Sequence, residues 1–449
     1  MKKTTIILLP LLAFAAATWG GWESETVVAA GDVGDGCCLA VDQSGQPHIS
    51  YVNKTQGSVM YARYTGSSWE LDTVAFDVEV LGYTAIALDS TDKPHIIFHD
   101  ANTGELTYAY RPGANWVAET VDTFSDYCQY VSIIAWPTDP RVSYSSIGGS
   151  APRLRYAYRD GEGWHRTTVV SSGGGQSNTI FLDGNNDPNI IYFNISTSSV
   201  RRAVLKNDEW SIDDIAEGVD PGAVVGPDEK IHVGFATLTN DGLDYAKSTT
   251  GGSWNIENVP GVKGSPAFTE ICVNTGGDVF ISYFNFDRHN LRVAIKTAGT
   301  WKNEIVAGGG YVGLPHSSGV NGSRPMIAYY DGDKHDLKLA RYDPNLGIEP
   351  LNPTDRYTDG EKARSFALHQ NVPNPVTGAT TFSFELAEGS DVKLTVYDTT
   401  GRKVAGVANG YFGPGGHDVP FARRLAPGVY IYRLDVGTET AARKMVVIR

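Results

Sequence analysis

Cysteine, methionine and charge are all scarce in this chain. With four cysteines and four methionines in 449 residues there is no dense disulfide framework, and Cys37, Cys38, Cys128 and Cys272 match no metal-binding spacing. Adjacent Cys37 and Cys38 cannot both point the same way from a strand, so disulfide pairing and free buried thiols both stay open. Only 20% of residues are charged and acids outnumber bases, giving a formal net charge of -14. That balance excludes nucleic acid and anionic membrane as favoured partners, since both would be repelled. Beyond Ala17 no apolar run is long enough to cross a bilayer, so no transmembrane segment is expected in the mature chain. G-x-S-x-G, H-E-x-x-H and the G-x-x-x-x-G-K phosphate loop are also missing. No catalytic residue, metal or cofactor is therefore expected on motif grounds.

Glycine and aromatics are plentiful. Fifty Gly, 23 Tyr and nine Trp suit an all-β protein rich in tight turns. Lys2 and Lys3 precede an apolar run from Ile6 to Ala17, with Ala15 and Ala17 placed as an A-x-A cleavage site. Residues 1–17 read as a secretory signal peptide, which puts the protein on an export route.

The stretch from Ala85 to Asp122 is the repeating unit: four short alternating segments separated by Gly, Pro, Asn and Asp, the pattern of four antiparallel strands. Trp22, Trp69, Trp116, Trp164, Trp210, Trp254 and Trp301 recur at spacings of 47, 47, 48, 46, 44 and 47. A period in the forties with four strands per copy predicts a β-propeller. An alanine precedes each indole by seven or eight residues in six copies, as at Ala62, Ala109 and Ala246, leaving room for the ring. The last copy ends at Tyr342 without a Trp strand, whereas Trp22–Val28 precedes the first copy as an orphan. The expected fold is thus a seven-bladed β-propeller over residues 18–343, closed by the N-terminal strand.

His48, His95 and His232 open second strands and are expected as hydrogen-bonded braces rather than ligands. Asn53, Asp100, Ser146, Asn194, Thr237, Asn285 and Asp331 close the same strands and are expected to start turns. Function is expected where copies disagree, in the second-to-third strand turns and the crossings between blades. Those supply the candidate ligand-binding residues Asp35, Glu79, Tyr83, Asp126, Tyr127, Tyr130, Arg288, His289, Tyr311 and His316. Tyrosine faces beside carboxylates and amides suit a sugar. The leading expectation is a non-enzymatic, monomeric propeller with a carbohydrate ligand. Two alternatives stay open: a polysaccharide hydrolase or lyase drawing acid and base from Asp35, Glu79, Asp126 and His316, and a structural or adhesive surface protein. One Trp per blade also resembles bacterial lectin-type propellers.

Residues 344–365 hold three prolines and several charges without periodicity, the composition of a linker. Beyond it, T-T-F-S-F-E-L, V-K-L-T-V-Y-D, G-V-Y-I-Y-R-L and K-M-V-V-I alternate with period two and predict a small C-terminal β-sandwich over 366–449. L-H-Q-N-V-P-N-P from Leu368, V-Y-D-T-T-G-R-K-V from Val396, G-P-G-G-H from Gly413 and L-A-P-G-V-Y-I-Y-R-L from Leu425 follow one another in order. Together they resemble the C-terminal sorting domain of type IX secretion cargo. Val376–Thr377 stands where Phe-Asn is usual, and the customary Trp after the G-x-H segment is missing around Val419 to Phe421. The resemblance implies the type IX secretion machinery as a partner, and passage through the periplasm to the outer surface or the medium.

Overall fold

The computed structural model describes residues 18–19, 21–80, 82–124, 127–135, 139–147, 152–239, 241–308, 310–343, 366–398, 402–437 and 439–448. The signal-peptide reading at 1–17 and the linker reading at 344–365 lie outside them. The described chain is all-β. Six four-stranded sheets follow in chain order, each paired between consecutive strands. Blade 1, for example, runs Val33–Val41, Pro47–Asn53, Ser58–Tyr64 and Trp69–Phe76.

The seventh sheet has only three consecutive strands of its own, ending with Asp336–Tyr342. Trp22–Val28 supplies the fourth, antiparallel to that strand, with Trp22 opposite Tyr342 and Ser24 opposite Ala340. The seventh sheet also packs on the first: Met326, Ala328 and Leu337 share a core with Val33, Leu39 and Ile49.

Each indole reaches back to the preceding blade. Trp116, Trp164, Trp210 and Trp301 stand edge-on to Tyr61, Tyr108, Tyr156 and Tyr245, with ring centroids 5.2–5.6 Å apart. The indole N–H of Trp116 donates to Asp72, of Trp164 to Glu119, of Trp254 to Asp213, and of Trp301 to Glu257. Trp22 does the same to Glu304 Oε2 at 3.2 Å and is fully buried. The alanines at the matching phase are fully buried, so the small side chain does make room for the ring.

The histidine braces form as expected. Tyr61, Tyr108 and Tyr245 each bring a hydroxyl within 2.5–2.6 Å of Nδ1 of His48, His95 and His232. On the far side, Nε2 faces Asp42, Asp89 and Asp228 at 3.0–3.6 Å. Burial holds all three imidazoles below their usual pKa. A neutral ring accepting at Nδ1 and donating at Nε2 satisfies both partners. Asn53, Asp100, Asn194, Asn285 and Asp331 accept from backbone N–H groups two or three residues on, which starts the turns. All four cysteines are free thiols, so disulfides do not form part of this fold.

The C-terminal unit is a sandwich. One sheet holds Phe366–Leu368, Thr380–Leu386 and Gly415–Phe421; the other holds Lys403–Phe412, Ser390–Asp398, Gly428–Val436 and Glu439–Val447. Phe382, Phe384, Leu394, Tyr432 and Met445 fill the space between them. Among the described residues, six apolar clusters contain blade residues alone and this one contains only C-terminal residues. Each unit therefore keeps a core without the other.

If the N-terminal strand completes the seventh sheet, Trp22→Ala should cost about 3–5 kcal/mol, the range for emptying a buried indole site. Trp69→Ala, at a half-buried indole, should cost about half as much. Urea denaturation of the two variants measures this; equal midpoints for Trp22→Ala and wild type would contradict the pairing.

Candidate functional site

The innermost strand of most blades begins with the same irregularity. Pairing with the second strand slips between Asp35 and Cys38, Gln129 and Ser132, Gln176 and Thr179, Val219 and Gly222, and Ala267 and Glu270. Within these bulges Gly36, Tyr130, Ser177, Asp220 and Phe268 take φ values of 46–58°. A left-handed residue inside a strand is uncommon for anything but glycine, and a bulge re-aims the side chain it carries. Tyr83, 47 residues from both Gly36 and Tyr130, holds the same phase in blade 2, and Pro315 holds it in blade 7.

The residue after each bulge can latch onto the previous blade. Thr84 Oγ1 donates to the Gly36 carbonyl at 2.8 Å, Asn178 Nδ2 to that of Tyr130, and Thr269 Oγ1 to that of Asp220. The backbone at the mouth is therefore repeated and pinned, while the side chains it presents (none, two phenols, a hydroxyl, a carboxylate, a benzyl group and a proline ring) are not.

A cavity of about 420 Å³ opens at this mouth. Asp35, Lys54, Tyr83, His289, Tyr311 and Asp333 line its propeller side. Lys54 Nζ lies 2.6 Å from Asp35 Oδ2, and the Tyr311 N–H donates to Asp333 Oδ2 at 3.0 Å. Tyr83 stacks on Tyr130 with centroids 6.1 Å apart and planes 25° apart; Tyr311 lies 5.2 Å from His289. Burial pushes the Tyr83 and Tyr311 hydroxyls above their usual pKa, so both are neutral donors.

The roof of the cavity is the C-terminal unit. Asp398, Ile431 and Arg433 line it from above. Strands Gly428–Val436 and Glu439–Val447 pair with Val446 opposite Val429, Lys444 opposite Ile431 and Ala442 opposite Arg433. Successive residues alternate faces, so these six share one face. Val429 and Val446 pack among Phe193, Val219 and Leu243; Ala442 and Ile431 pack with Phe268, Phe284 and Tyr311. Between the two apolar patches Lys444 Nζ reaches Asp220 Oδ2 at 3.1 Å, both side chains being 1% exposed. Desolvation outweighs the attraction of Asp220 and holds the ammonium below the usual lysine pKa. At the rim Arg443 Nη1 lies 2.8 Å from both Asp287 and Ser265.

Residues 372–448 match the secretion system C-terminal sorting domain. No curated protein matches the chain. Among solved structures, hydrazine synthase from Kuenenia stuttgartiensis is 11% identical, covers 68% of this chain and 95% of its own, and superposes with a TM-score of 0.51. It shares the fold. The Aleuria aurantia lectin in complex with Fucα1-6GlcNAc is 14% identical over 60% of this chain and 94% of its own, with a TM-score of 0.44. A polysaccharide lyase is 11% identical over 71% and 90%, with a TM-score of 0.46.

Of the residues singled out in the sequence, Asp35, Tyr83, His289 and Tyr311 come together in the cavity beneath the sorting domain, with Tyr130 stacked behind Tyr83. His316 lies deeper, buried, with Nδ1–H donating to the Gly313 carbonyl at 2.9 Å and its pKa pulled down to about 4. Glu79 and Arg288 are exposed and do not line the cavity. Asp126 and the side chain of Tyr127 lie outside the described residues. Sequence reading points to Asp333 through the variable second-to-third turn of blade 7, but it misses Lys54 and Asp220 and the cover that the sorting domain forms over them. One signal was present: Lys444 falls in the same strand phase as Ala442 and Val446, and a lysine in an apolar phase needs an acid opposite.

Glu270, two residues beyond the bulge residue Phe268, was also missed. It is half-buried, and desolvation raises its pKa to about 7. A raised folded-state pKa means the native protein holds the proton more tightly than the unfolded chain. The associated stability is present below about pH 4.5 and lost as pH rises through about 7. Glu270→Gln should accordingly be more stable than wild type by on the order of 2 kcal/mol at pH 8, after discounting for solvent, and indistinguishable from it at pH 4. Denaturant titrations at the two pH values check this; a constant difference would contradict the assignment.

Proposed function

We propose that this is an exported propeller that binds carbohydrate at its mouth. The sorting domain marks the chain for export by type IX secretion to the cell surface or beyond. The observation that carries the ligand class is the cavity: tyrosine rings at Tyr83 and Tyr311, beside Asp35, Lys54 and Asp333, in a space of about 420 Å³. Flat aromatic faces receive the apolar face of a pyranose, and short charged groups on a fixed backbone receive its hydroxyls. The charged groups are already paired, Asp35 with Lys54 and Asp333 with a backbone N–H, which favours binding over acid and base chemistry.

The test is a glycan array run on the full chain carrying a protease site between 344 and 365, before and after cleavage and removal of the sorting domain. A carbohydrate retained by the cleaved protein is expected, with Tyr83→Ala weakening it about 10-fold, near the upper end for one aromatic contact. Tyr411→Ala, an exposed ring on the sorting domain, should leave the uncleaved protein unchanged. Failure of every glycan to bind the cleaved protein would leave the adhesive or structural reading in its place.

A further inference from the structure

Asp220 is an unusual residue for its position. Six other blades put glycine, tyrosine, serine, phenylalanine or proline at the same phase of the mouth, so the fold does not require a carboxylate there. Yet the side chain is enclosed and aimed: Ser177 Oγ donates to Oδ1 at 3.3 Å, the Phe268 N–H donates to Oδ2 at 3.2 Å, and Lys444 Nζ completes the set. Three donors from three separate elements converge on one carboxylate. Two of them belong to the propeller and are neutral; the one counter-charge belongs to the sorting domain. Removing that domain leaves a preorganised carboxylate, held by two neutral propeller donors, without its cation.

The surroundings favour a positive ligand in its place. Asp333 lies at the same mouth, as does Asp287 once its partner Arg443 has left with the sorting domain, while Asp35 keeps Lys54 as its counter-charge. Phe268, whose N–H donates to Asp220, packs with Phe284 and the cavity residue Tyr311, so the carboxylate lies beside an aromatic cluster at the mouth.

We infer that Asp220 anchors a primary-ammonium site at the mouth, that Lys444 of the chain's own sorting domain occupies it until that domain leaves, and that an amino sugar with a free amine then takes it. The sugar half of this inference rests on the carbohydrate reading above; the ammonium half does not. Lys444 acts as a stand-in ligand. Its Nζ takes the place of a sugar ammonium, and the strand pair that carries it keeps the mouth shut during transit.

The experiment begins with the full chain. Lys444→Ala opens a space beside Asp220, and thermal melting is followed with added n-propylammonium chloride against sodium chloride at equal ionic strength. The expected result is a dose-dependent rise in Tm for Lys444→Ala, with none for wild type or for Lys444→Ala combined with Asp220→Asn. Should Lys444→Ala not fold, the same titration is run on the cleaved propeller, where a rise in Tm with n-propylammonium for wild type and none for Asp220→Asn is expected, and equal behaviour of the two overturns the ammonium site. No rescue specific to the alkylammonium, or equal rescue in the double variant, overturns the ammonium site whether or not any glycan binds. The second arm compares glucosamine with N-acetylglucosamine on the cleaved propeller by calorimetry. At least a tenfold preference for glucosamine, abolished by Asp220→Asn, is expected. Rescue without that preference, or binding of a lysine peptide instead, overturns the amino-sugar assignment.

Discussion

A four-stranded blade cannot bury both of its faces by itself, and everything else in this molecule follows from how that is solved. In four blades the indole that opens the outer strand packs backward onto a tyrosine of the preceding blade, and several of the indoles donate to an acid on that preceding blade's outer strand. The tyrosine is in turn tied through its hydroxyl to a neutral histidine in blades 1, 2 and 5. The stitch is apolar where the area is, and at Trp22, Trp116, Trp164, Trp254 and Trp301 its polar end is satisfied by a carboxylate, the condition under which buried polar groups do not cost stability. Trp22 continues the series from the N-terminal strand, so the strand that fills the last blade also ties it to the sixth.

A frame repeated this closely leaves the mouth free to vary. The bulges fix where each innermost strand aims its first side chain, and the latches from Thr84, Asn178 and Thr269 fix each bulge against its neighbour. Rigidity is supplied by the backbone and chemistry by the side chains. That division explains how Tyr83, Asp220 and Phe268 can stand at equivalent places without disturbing the blades. It is also what a preorganised binding surface requires, since little ordering is left to be done when a ligand arrives.

Much of this was legible in the sequence. The Trp phase gave the blade count, the missing strand after Tyr342 pointed to Trp22, and the recurring His and Asn positions read correctly as braces and turns. What stayed hidden has physical reasons. Left-handed positions filled by Tyr130, Ser177 and Phe268 carry no local signature, because those residues do not favour positive φ. Only alignment at the 47-residue spacing brings them into one ring. The docking of the sorting domain was hidden for another reason: its contacts join residues far apart in the chain, such as Ser265 with Arg443 and Asp220 with Lys444, 178 and 224 positions apart. No periodicity reports a contact of that kind. Asp35, Tyr83, His289 and Tyr311 were found because crossings and turns vary between copies, whereas Asp220 sits inside a strand and was passed over.

The sorting domain is therefore more than an address carried at the end of the chain. Its last strand pair is shaped to this propeller, with valines for one patch, Ala442 and Ile431 for the other, and a lysine between them for Asp220. Hydrogen–deuterium exchange on the full chain, before and after cleavage between 344 and 365, tests that placement most directly. The account predicts strong protection of the segments around Ser177, Asp220 and Phe268 in the uncleaved protein, lost when the sorting domain is removed, with the outer strands unchanged. Equal exchange of those mouth segments in both forms would contradict it.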